Sequence, residues 1–269
     1  METSTLYLLG AANAVLLGLL AWTGSRLLRY RRFVRDAFRE EEPPIPTVRL
    51  EEFDPLFRTD EMGPTLRTEV AFVGTGDGVP FGTSDLEAWV LAVLAKPAVR
   101  MFEFGTATGK TAYLWARNSA PEARVTTLTL APDQVAAYAG DAADSAEGTR
   151  TALAESTFTR FFYTGTPVEE KVEQLFADSK QFDEGPFAGS CDLVFVDGSH
   201  AYSYVKSDTE KALRMVRPGG VVLWHDYRGS RGPTADVYAY LNELGRSLPL
   251  ARLEGTSLVA YRAPLGGGA

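Results

Sequence analysis

The chain has 269 residues, enough for one α/β domain of ordinary size and an additional segment. Its formal net charge of −8 excludes nucleic acid as a general partner, because a phosphate backbone requires a basic protein face. The single cysteine, Cys191, excludes an internal disulfide and is typical of proteins from a reducing compartment.

Residues 1–25 are predicted to form a single transmembrane helix. No charged residue occurs between Thr3 and Ser25, and roughly 20 apolar helical residues span the hydrocarbon core of a bilayer. A basic segment follows, so the positive-inside rule predicts a single-pass membrane protein whose main domain lies on the cytoplasmic side. A cleaved signal peptide, which would carry its positive charge before the apolar run, and a buried N-terminal helix are the alternatives.

Residues 26–46 alternate arginine with apolar side chains and end in prolines. This pattern predicts a basic juxtamembrane helix against anionic lipid headgroups, followed by a proline-rich linker. Residues 47–82 show no clear period and are interpreted as a cap segment. Residues 83–264 are predicted to be the main domain, and residues 265–269 a flexible tail.

The main domain is predicted to be a doubly wound, mostly parallel sheet of seven strands, with the last strand antiparallel. Its first helix begins near Thr83, where Ser84 and Glu87 form a capping box. Segment 168–175 is interpreted as either a helix or a strand. Further helices are predicted from Lys110, within 131–154, over 204–216 and over 234–245. The predicted strands are 99–104, 124–130, 159–163, 192–197, 221–224, 248–253 and 257–261.

A glycine-rich turn joins the first of these strands to a helix. In the segment Glu103-Phe-Gly-Thr-Ala-Thr-Gly109, the turn would place backbone N–H groups beside a nucleotide or a nucleotide-like cofactor. A dinucleotide fingerprint requires a third glycine. Gly109, Lys110 and Thr111 match the end of a phosphate-binding P-loop, but that loop has four residues between its glycines and this turn has three.

The pattern E-x-G-x-x-x-G at residues 103–109 resembles the class I S-adenosylmethionine-dependent methyltransferases. The resemblance continues through residues 194–202 (VFVDGSHAY), 217–220 (RPGG) and 224–227 (WHDY). Together these motifs are similar to the subgroup that contains the cephalosporin-pathway and macrolide-sugar O-methyltransferases. The resemblance covers about residues 80–262. It implies a Rossmann-like methyltransferase fold and O-methylation of a small-molecule, sugar or lipid-linked acceptor.

The resemblance also implies which residues bind S-adenosylmethionine. The Glu103 carboxylate would meet the ammonium group. Asp178 and Ser179 would contact the edge of the adenine. The family's acid at the end of the second strand is missing here, where Thr129 or Leu130 stands, and Asp133 is a possible substitute from the following loop. The implied cofactor residues are Glu103, Gly105, Thr106, Thr108, Gly109, Thr129, Asp178, Ser179 and Asp197.

The only two histidines, His200 and His225, stand close to aspartates where strands are predicted to end. The resemblance implies that His200 is the catalytic base, and that Asp197, His225 and Asp226 hold Mg²⁺ or another divalent cation. His225 stands where the family has a carboxylate. Because magnesium prefers oxygen ligands, the identity of the metal, and whether one is used, remain open. Arg228 and Arg231 are candidates for holding an anionic group of the acceptor, although an arginine in a loop is more often simply solvated.

Two other functions remain as alternatives. One is a methyltransferase-like domain that has lost catalysis and serves as a binding or structural module. The other is a nucleotide hydrolase or kinase that uses Lys110. The predicted partners are the membrane and a small-molecule or lipid-linked acceptor. The sequence leaves the oligomeric state and the identity of the acceptor open.

Overall fold

The computed structural model describes Gly24, Arg26, residues 44–74 and residues 83–266. The chain divides into one unit of residues Met1–Glu42 and a second unit of residues Pro43–Ala269, which contains the sheet. Residues 1–23 and 25 of the predicted anchor lie outside the described residues. So do most of the predicted juxtamembrane helix, the end of the cap segment and the last three residues of the tail.

Ten strands occur in the described residues of the second unit, eight of them in one sheet. The strands are β1 Thr47–Val48, β2 Thr59–Asp60, β3 Gly63–Pro64, β4 Arg100–Phe104, β5 Arg124–Thr129, β6 Val172–Phe176, β7 Cys191–Val196, β8 Val216–Trp224, β9 Ala251–Leu253 and β10 Val259–Arg262. The helices are α1 Leu50–Phe53, α2 Asp85–Ala95, α3 Lys110–Asn118, α4 Ala146–Glu155, α5 Tyr202–Met215 and α6 Ala235–Leu244.

The central sheet has the order β1-β9-β10-β8-β7-β4-β5-β6, and β2 pairs with β3 separately. Strands β4 to β8 are parallel, whereas β10 is antiparallel to both β8 and β9. The predicted Rossmann-like α/β fold and closing hairpin are therefore observed. The carboxyl ends of β4 to β8 meet at one edge, where ligands bind in open α/β sheets.

Two parts of the predicted sheet were wrong. The sheet has eight strands rather than seven, because β1, from the segment interpreted as a cap, pairs in parallel with β9. A strand of two residues is too short to show a period. Segment 159–163 is a turn and not a strand, and its place at the sheet edge is taken by β6, which overlaps the ambiguous segment 168–175.

The prediction of a transmembrane helix is also corrected. Among the residues that the structure describes, no helix is long and apolar enough to cross a membrane. The predicted N-terminal anchor and, with it, the predicted single-pass localisation are therefore not supported.

Alternation along β4 directs its side chains to two faces of the sheet, both of them covered by helices. Met101 packs in a core with Trp115 of α3, while Phe102 and Phe104 pack in the core on the opposite face. Every residue of β4 after Arg100 is buried. Glu103 therefore reaches the interior with its carboxyl group, on the same face as Met101.

Candidate active site

A cavity of about 530 Å³ lies at the carboxyl ends of β4 to β7. Four carboxyl groups line it, from Glu155, Asp178, Asp197 and Asp208, and no lysine or arginine among the described residues does. Such a wall favours a cationic ligand and disfavours a polyphosphate, because like charges repel across a partly desolvated site.

The glycine-rich turn forms one side of this cavity. Gly105 has φ +96°, and a Cβ atom there would lie 2.0 Å from the carbonyl oxygen of Asp197. Gly109 has φ +76°, and its Cβ would lie 2.9 Å from atoms of Phe161 and Tyr163. Close approach of the protein's own backbone and side chains therefore requires glycine at both positions.

The structure brings five of the nine predicted cofactor residues to the cavity wall, and these are Gly105, Thr129, Asp178, Ser179 and Asp197. The other four, Glu103, Thr106, Thr108 and Gly109, do not line it. The N–H of Phe162 donates to the carbonyl of Thr108 at 2.9 Å, so the segment around Phe162 covers the far side of the turn.

Glu103 is fully buried and hydrogen-bonded inside the protein. The hydroxyl of Thr127 donates to its Oε2 atom at 2.6 Å, and the hydroxyls of Thr106 and Thr127 are 2.8 Å apart. Burial, with a further contribution from the charge of Asp197, raises the pKa of Glu103 to about 8. The carboxyl group of Glu103 is therefore mostly protonated at neutral pH, and its contact with an ammonium group stays a prediction.

An aromatic pair that the sequence analysis missed lines the other end of the cavity. The rings of Tyr138 and Tyr204 stack with centroids 4.4 Å apart and an interplanar angle of 14°. The hydroxyl of Tyr204 donates to Asp178 at 3.1 Å, and that of Tyr138 lies 2.7 Å from Ser199 Oγ. Asp133, the suggested substitute acid, is exposed and does not line the cavity. Nothing in the sequence near Tyr138 indicates this pairing.

Two acids in the wall also lacked a signal in the sequence. Burial raises the pKa of Glu155, at the end of α4, to about 7, and the charge of the nearby His200 lowers it only in part. Burial also raises the pKa of Asp208, on α5, to about 7. The Oδ1 atom of Asp208 is buried and has no hydrogen-bond partner among the described residues.

Asp197, His200, His225 and Asp226 come together where β7 and β8 end; we call this set the acid–histidine cluster. His200 Nε2 lies 2.8 Å from Asp226 Oδ2. His225 Nδ1 lies 2.9 Å from Asp197 Oδ1 and 3.5 Å from Asp226 Oδ2. The predicted meeting of these strand-end residues is thus observed. Asp226 has φ +62°, a rare conformation outside glycine that concentrates at functional sites.

Charges within the cluster balance one another. Burial disfavours ionisation of Asp226, but His225, His200 and Arg228 outweigh it and hold the pKa of Asp226 well below its usual range. Burial likewise lowers the pKa of both histidines, but the surrounding carboxylates outweigh it and raise each pKa above 6.5, most strongly for His225. Burial raises the pKa of Asp197, and the contact with His225 offsets this only partly.

Glu87 joins the cluster from a distant part of the chain. The predicted capping box is present, since the N–H of Ser84 donates to Glu87 Oε2 at 2.9 Å and the N–H of Glu87 to Ser84 Oγ at 3.3 Å. The same carboxylate lies 3.3 Å from His225 Nε2 and accepts hydrogen bonds from the N–H and hydroxyl of Ser257, each at 2.7 Å. The sequence analysis missed this second role because the capping box explained Glu87 completely.

Lys110, the residue that suggested a P-loop, does not reach the cavity. Its side chain is buried, and its Nζ atom donates to the carbonyl of Thr83 at 3.3 Å. The backbone of Gly109 begins α3 in a left-handed conformation, so Lys110 is the first residue of an ordinary helix.

Residues 102–227 match a family model described as "Methyltransferase domain". The match covers a little under half of the chain, from β4 to just after β8, and includes the glycine-rich turn and the acid–histidine cluster. This segment is a methyltransferase domain. The predicted resemblance to the class I methyltransferases is thereby confirmed. No curated protein matches the chain.

Solved structures similar to this methyltransferase domain include three cofactor complexes. The O-methyltransferase TomG from Streptomyces achromogenes, involved in tomaymycin synthesis and solved with SAM, is 20% identical, with 69% of this chain and 83% of that chain covered and a TM-score of 0.46. Cofactor-bound Rv0187 from MTB is 20% identical, with 84% and 99% covered and a TM-score of 0.45. The O-methyltransferase from Bacillus cereus, solved with SAH, is 18% identical, with 68% and 83% covered and a TM-score of 0.44.

Within the methyltransferase domain, Asp197 belongs both to the cavity wall and to the acid–histidine cluster. The cavity and the cluster therefore adjoin at the end of β7. A ligand in the cavity would lie beside groups that can exchange a proton or bind a cation.

Proposed function

We propose that this methyltransferase domain transfers the methyl group of S-adenosylmethionine to a hydroxyl oxygen of a small-molecule acceptor. The observation that carries the proposal is the position of Asp197, which lines an acidic cavity and also contacts His225 of the acid–histidine cluster. S-adenosylmethionine carries a sulfonium and an ammonium group, so its charge complements the four carboxyl groups of the wall.

The cofactor would extend along the strand ends. Gly105 and Thr129 would face its amino acid and ribose portions, while Asp178 and Ser179, beside the stacked ring of Tyr204, offer a polar and aromatic site for the adenine. Because Glu103 does not line the cavity, it would meet the ammonium group through water rather than directly. A cation there favours the ionised carboxylate, so binding would release a proton near neutral pH.

Methyl transfer breaks the bond from sulfur to the methyl carbon, forms a bond from the acceptor oxygen to that carbon, and releases the hydroxyl proton. We assign His200 as the group that accepts the proton. A hydrogen on Nε2 bonds to Asp226 Oδ2, which leaves the lone pair on Nδ1, and Nδ1 is buried without a partner among the described residues. Asp226 would hold the ring in this tautomer and stabilise the imidazolium that forms.

Asp197, His225 and Asp226 also fit a divalent cation. Each offers one ligand atom, and the three atoms lie within 4.8 Å of one another. His225 Nδ1 faces both carboxylates, an arrangement that brings donors to one point. When bound, such an ion would lower the pKa of a hydroxyl group and help to hold its oxygen.

The proposal is tested with the purified chain, S-adenosylmethionine labelled in the methyl group, and a mixture of small hydroxylated compounds. We expect calorimetry to detect cofactor binding, and NMR of the labelled product to locate the methyl group on oxygen. His200→Gln should bind the cofactor but transfer little. Failure to bind S-adenosylmethionine would refute the proposed methyltransferase activity. A product methylated on nitrogen, carbon or sulfur would refute the proposal that the acceptor is a hydroxyl.

The same experiment separates the alternatives. A domain that has lost catalysis would bind the cofactor and leave the label untransferred with every hydroxylated acceptor class tested. A nucleotide enzyme would bind ATP through Lys110, which is buried and bonded to Thr83. Lys110→Met should leave the affinity for S-adenosylmethionine within a few-fold of the original protein.

A further inference from the structure

The cation site of this chain has an unusual feature in His225, whose two ring nitrogens face carboxylates on opposite sides. Nδ1 faces Asp197 and Asp226, and Nε2 faces Glu87 of α2. The side chain is 7% exposed, so water does not compete freely for either nitrogen. The ring is therefore held in one orientation from both sides.

We propose that this is a first-row transition-metal site that selects against Mg²⁺, with His225 Nδ1 as a ligand and Glu87 as the positioning residue that orients it. The inference rests on the proposed function only in placing the ion beside the methyl-transfer site.

Glu87 is well suited to orient the imidazole. Its Oε1 atom accepts two hydrogen bonds from Ser257, and its Oε2 atom accepts the N–H of Ser84 at 2.9 Å. Three donors on one carboxylate hold it in place and keep it ionised. An ionised carboxylate can only accept, so His225 Nε2 carries a hydrogen towards Glu87, and an ion at the site would take the lone pair of Nδ1 in place of the contact that Nδ1 makes with Asp197. A second hydrogen bond of this kind is typical of histidines that bind metals.

The donor set determines the class of ion. One imidazole nitrogen and two carboxylate oxygens converge here, and Asp226 is in turn held by His200 at 2.8 Å and by Arg228 at 2.9 Å. Magnesium requires near-octahedral oxygen ligands and retains its waters. Imidazole instead suits Zn²⁺, Fe²⁺, Co²⁺ and Ni²⁺, and affinity rises from Mn²⁺ towards these ions. The nitrogen of His225 thus shifts the preference from magnesium to borderline ions.

Cobalt provides a direct readout, because its visible absorption reports nitrogen ligation without any enzymatic turnover. The full-length chain, stripped of metal and without cofactor or acceptor, is titrated with Co²⁺ and then with competing ions. We expect a Co²⁺ band that Zn²⁺ abolishes and that a hundredfold excess of Mg²⁺ leaves in place.

Three variants test the residues. Glu87→Gln should weaken Co²⁺ binding by about 10- to 100-fold, the usual effect of losing such an orienting partner. His225→Asp makes the site all oxygen and should reverse the preference towards Mg²⁺. If His225→Asp does not fold, His225→Gln with the same titration takes its place and should lose the Co²⁺ band. Glu122→Gln, on an exposed turn, is the matched control and should bind Co²⁺ as the original protein does.

Equal or tighter binding of Mg²⁺, the absence of any metal binding, or unchanged Co²⁺ affinity in Glu87→Gln would each overturn the inference. Methyl transfer is measured on the same samples. Transfer that persists without metal binding refutes this inference and leaves the proposed function intact. If the protein binds the metal as expected but neither binds S-adenosylmethionine nor transfers the methyl group, the proposed function is refuted and this inference stands.

Discussion

The Nε2 atom of His200 lies 2.8 Å from Oδ2 of Asp226, although the two residues follow different strands. Neighbouring parallel strands β7 and β8 bring them together, and the left-handed backbone of Asp226, with φ +62°, turns its carboxylate towards the ring. His200 is the proposed proton acceptor, and Asp226 raises its pKa. Mutations of the two residues should therefore have different effects.

For His200→Gln, we expect kcat to fall by about 10²- to 10⁴-fold, the usual contribution of a general base, while cofactor affinity is retained. With divalent ions removed by EDTA, so that the metal-ligand role of Asp226 does not contribute, the double variant with Asp226→Asn should be no slower than His200→Gln alone, because residues that act as a unit are not additive. Single-turnover kinetics of the two single variants and the double variant provide the measurement. A double variant much slower than His200→Gln would contradict the pairing.

The pH profile should report the same pair. His200 must be unprotonated to accept a proton, so kcat should rise with pH through the pKa of His200. Burial lowers this pKa, but the hydrogen bond and the charge of Asp226 raise it above 6.5 overall. The midpoint should therefore lie above 6.5 in the original protein and move down in Asp226→Asn. Because Asp226 is also a predicted metal ligand, the direction of this shift, and not the loss of rate, is diagnostic.

The glycine-rich turn should tolerate no side chain at Gly105. Gly165→Ala is the control, because Gly165 has φ +75° with nothing within 4 Å of an added Cβ, so it measures backbone strain alone, about 1–2 kcal/mol. Gly109→Ala adds contacts at 2.9 Å, and Gly105→Ala adds an overlap with backbone at 2.0 Å. Denaturant unfolding should rank the loss of stability as Gly105, then Gly109, then Gly165. Equal losses of stability at all three positions would mean that contacts between the added Cβ and neighbouring atoms contribute nothing to the loss.

Glu103 should make stability depend on pH. Its pKa is raised from 4.5 to about 8 in the folded protein, so its contribution to stability is fully present below pH 4.5 and is lost as pH rises through 8. Glu103→Gln keeps an oxygen that accepts the hydrogen bond from Thr127, and it removes the loss of stability at high pH because glutamine does not ionise. The variant should therefore gain stability relative to the original protein between pH 5 and pH 9, by a few kcal/mol. Thermal unfolding at both pH values is the measurement, with Glu122→Gln on an exposed turn as control; a difference that does not change with pH would count against a raised pKa.

Glu155 should distinguish a charged ligand from a neutral one. It lines the cavity, and burial raises its pKa to about 7, so the group is partly ionised at neutral pH. A sulfonium nearby would favour its carboxylate form. Calorimetry at pH 8 should show Glu155→Gln weakening S-adenosylmethionine by about three- to tenfold, as expected for one screened charge pair, and leaving S-adenosylhomocysteine unchanged. Equal losses for both ligands would place Glu155 away from the sulfur.

Much of the fold could be predicted because long buried strands carry a strong local signal. The apolar runs that became β4, β7 and β8 are each followed by helical patterns, which indicates a parallel sheet. The errors fell where local signal is weak. β1 has two residues and depends on pairing with β9, and segment 159–163 has the residue types of a strand but packs over the glycine-rich turn as a turn.

The candidate site divides in the same way. His200, His225 and Asp226 could be named because they stand in the segments that follow strands, and parallel strands end at a common edge. Tyr138, Glu155 and Asp208 could not, because they reach the cavity from helices and loops whose packing no local pattern records. Glu103 could be named, but its burial beside Thr127 and its raised pKa follow from how α3 covers the sheet.

By itself the sequence determined the alternation of strands and helices, the glycine-rich turn and the residues at the strand ends, because these depend on periodicity and on neighbours along the chain. Only the tertiary structure decided that Glu87, 138 positions before His225, holds the second nitrogen of that ring. The capping box satisfies every local requirement of Glu87, so its other contact exists only once α2 packs against the end of β8. Long-range contacts of this kind arise from the packing of whole elements, and no spacing along the chain records them.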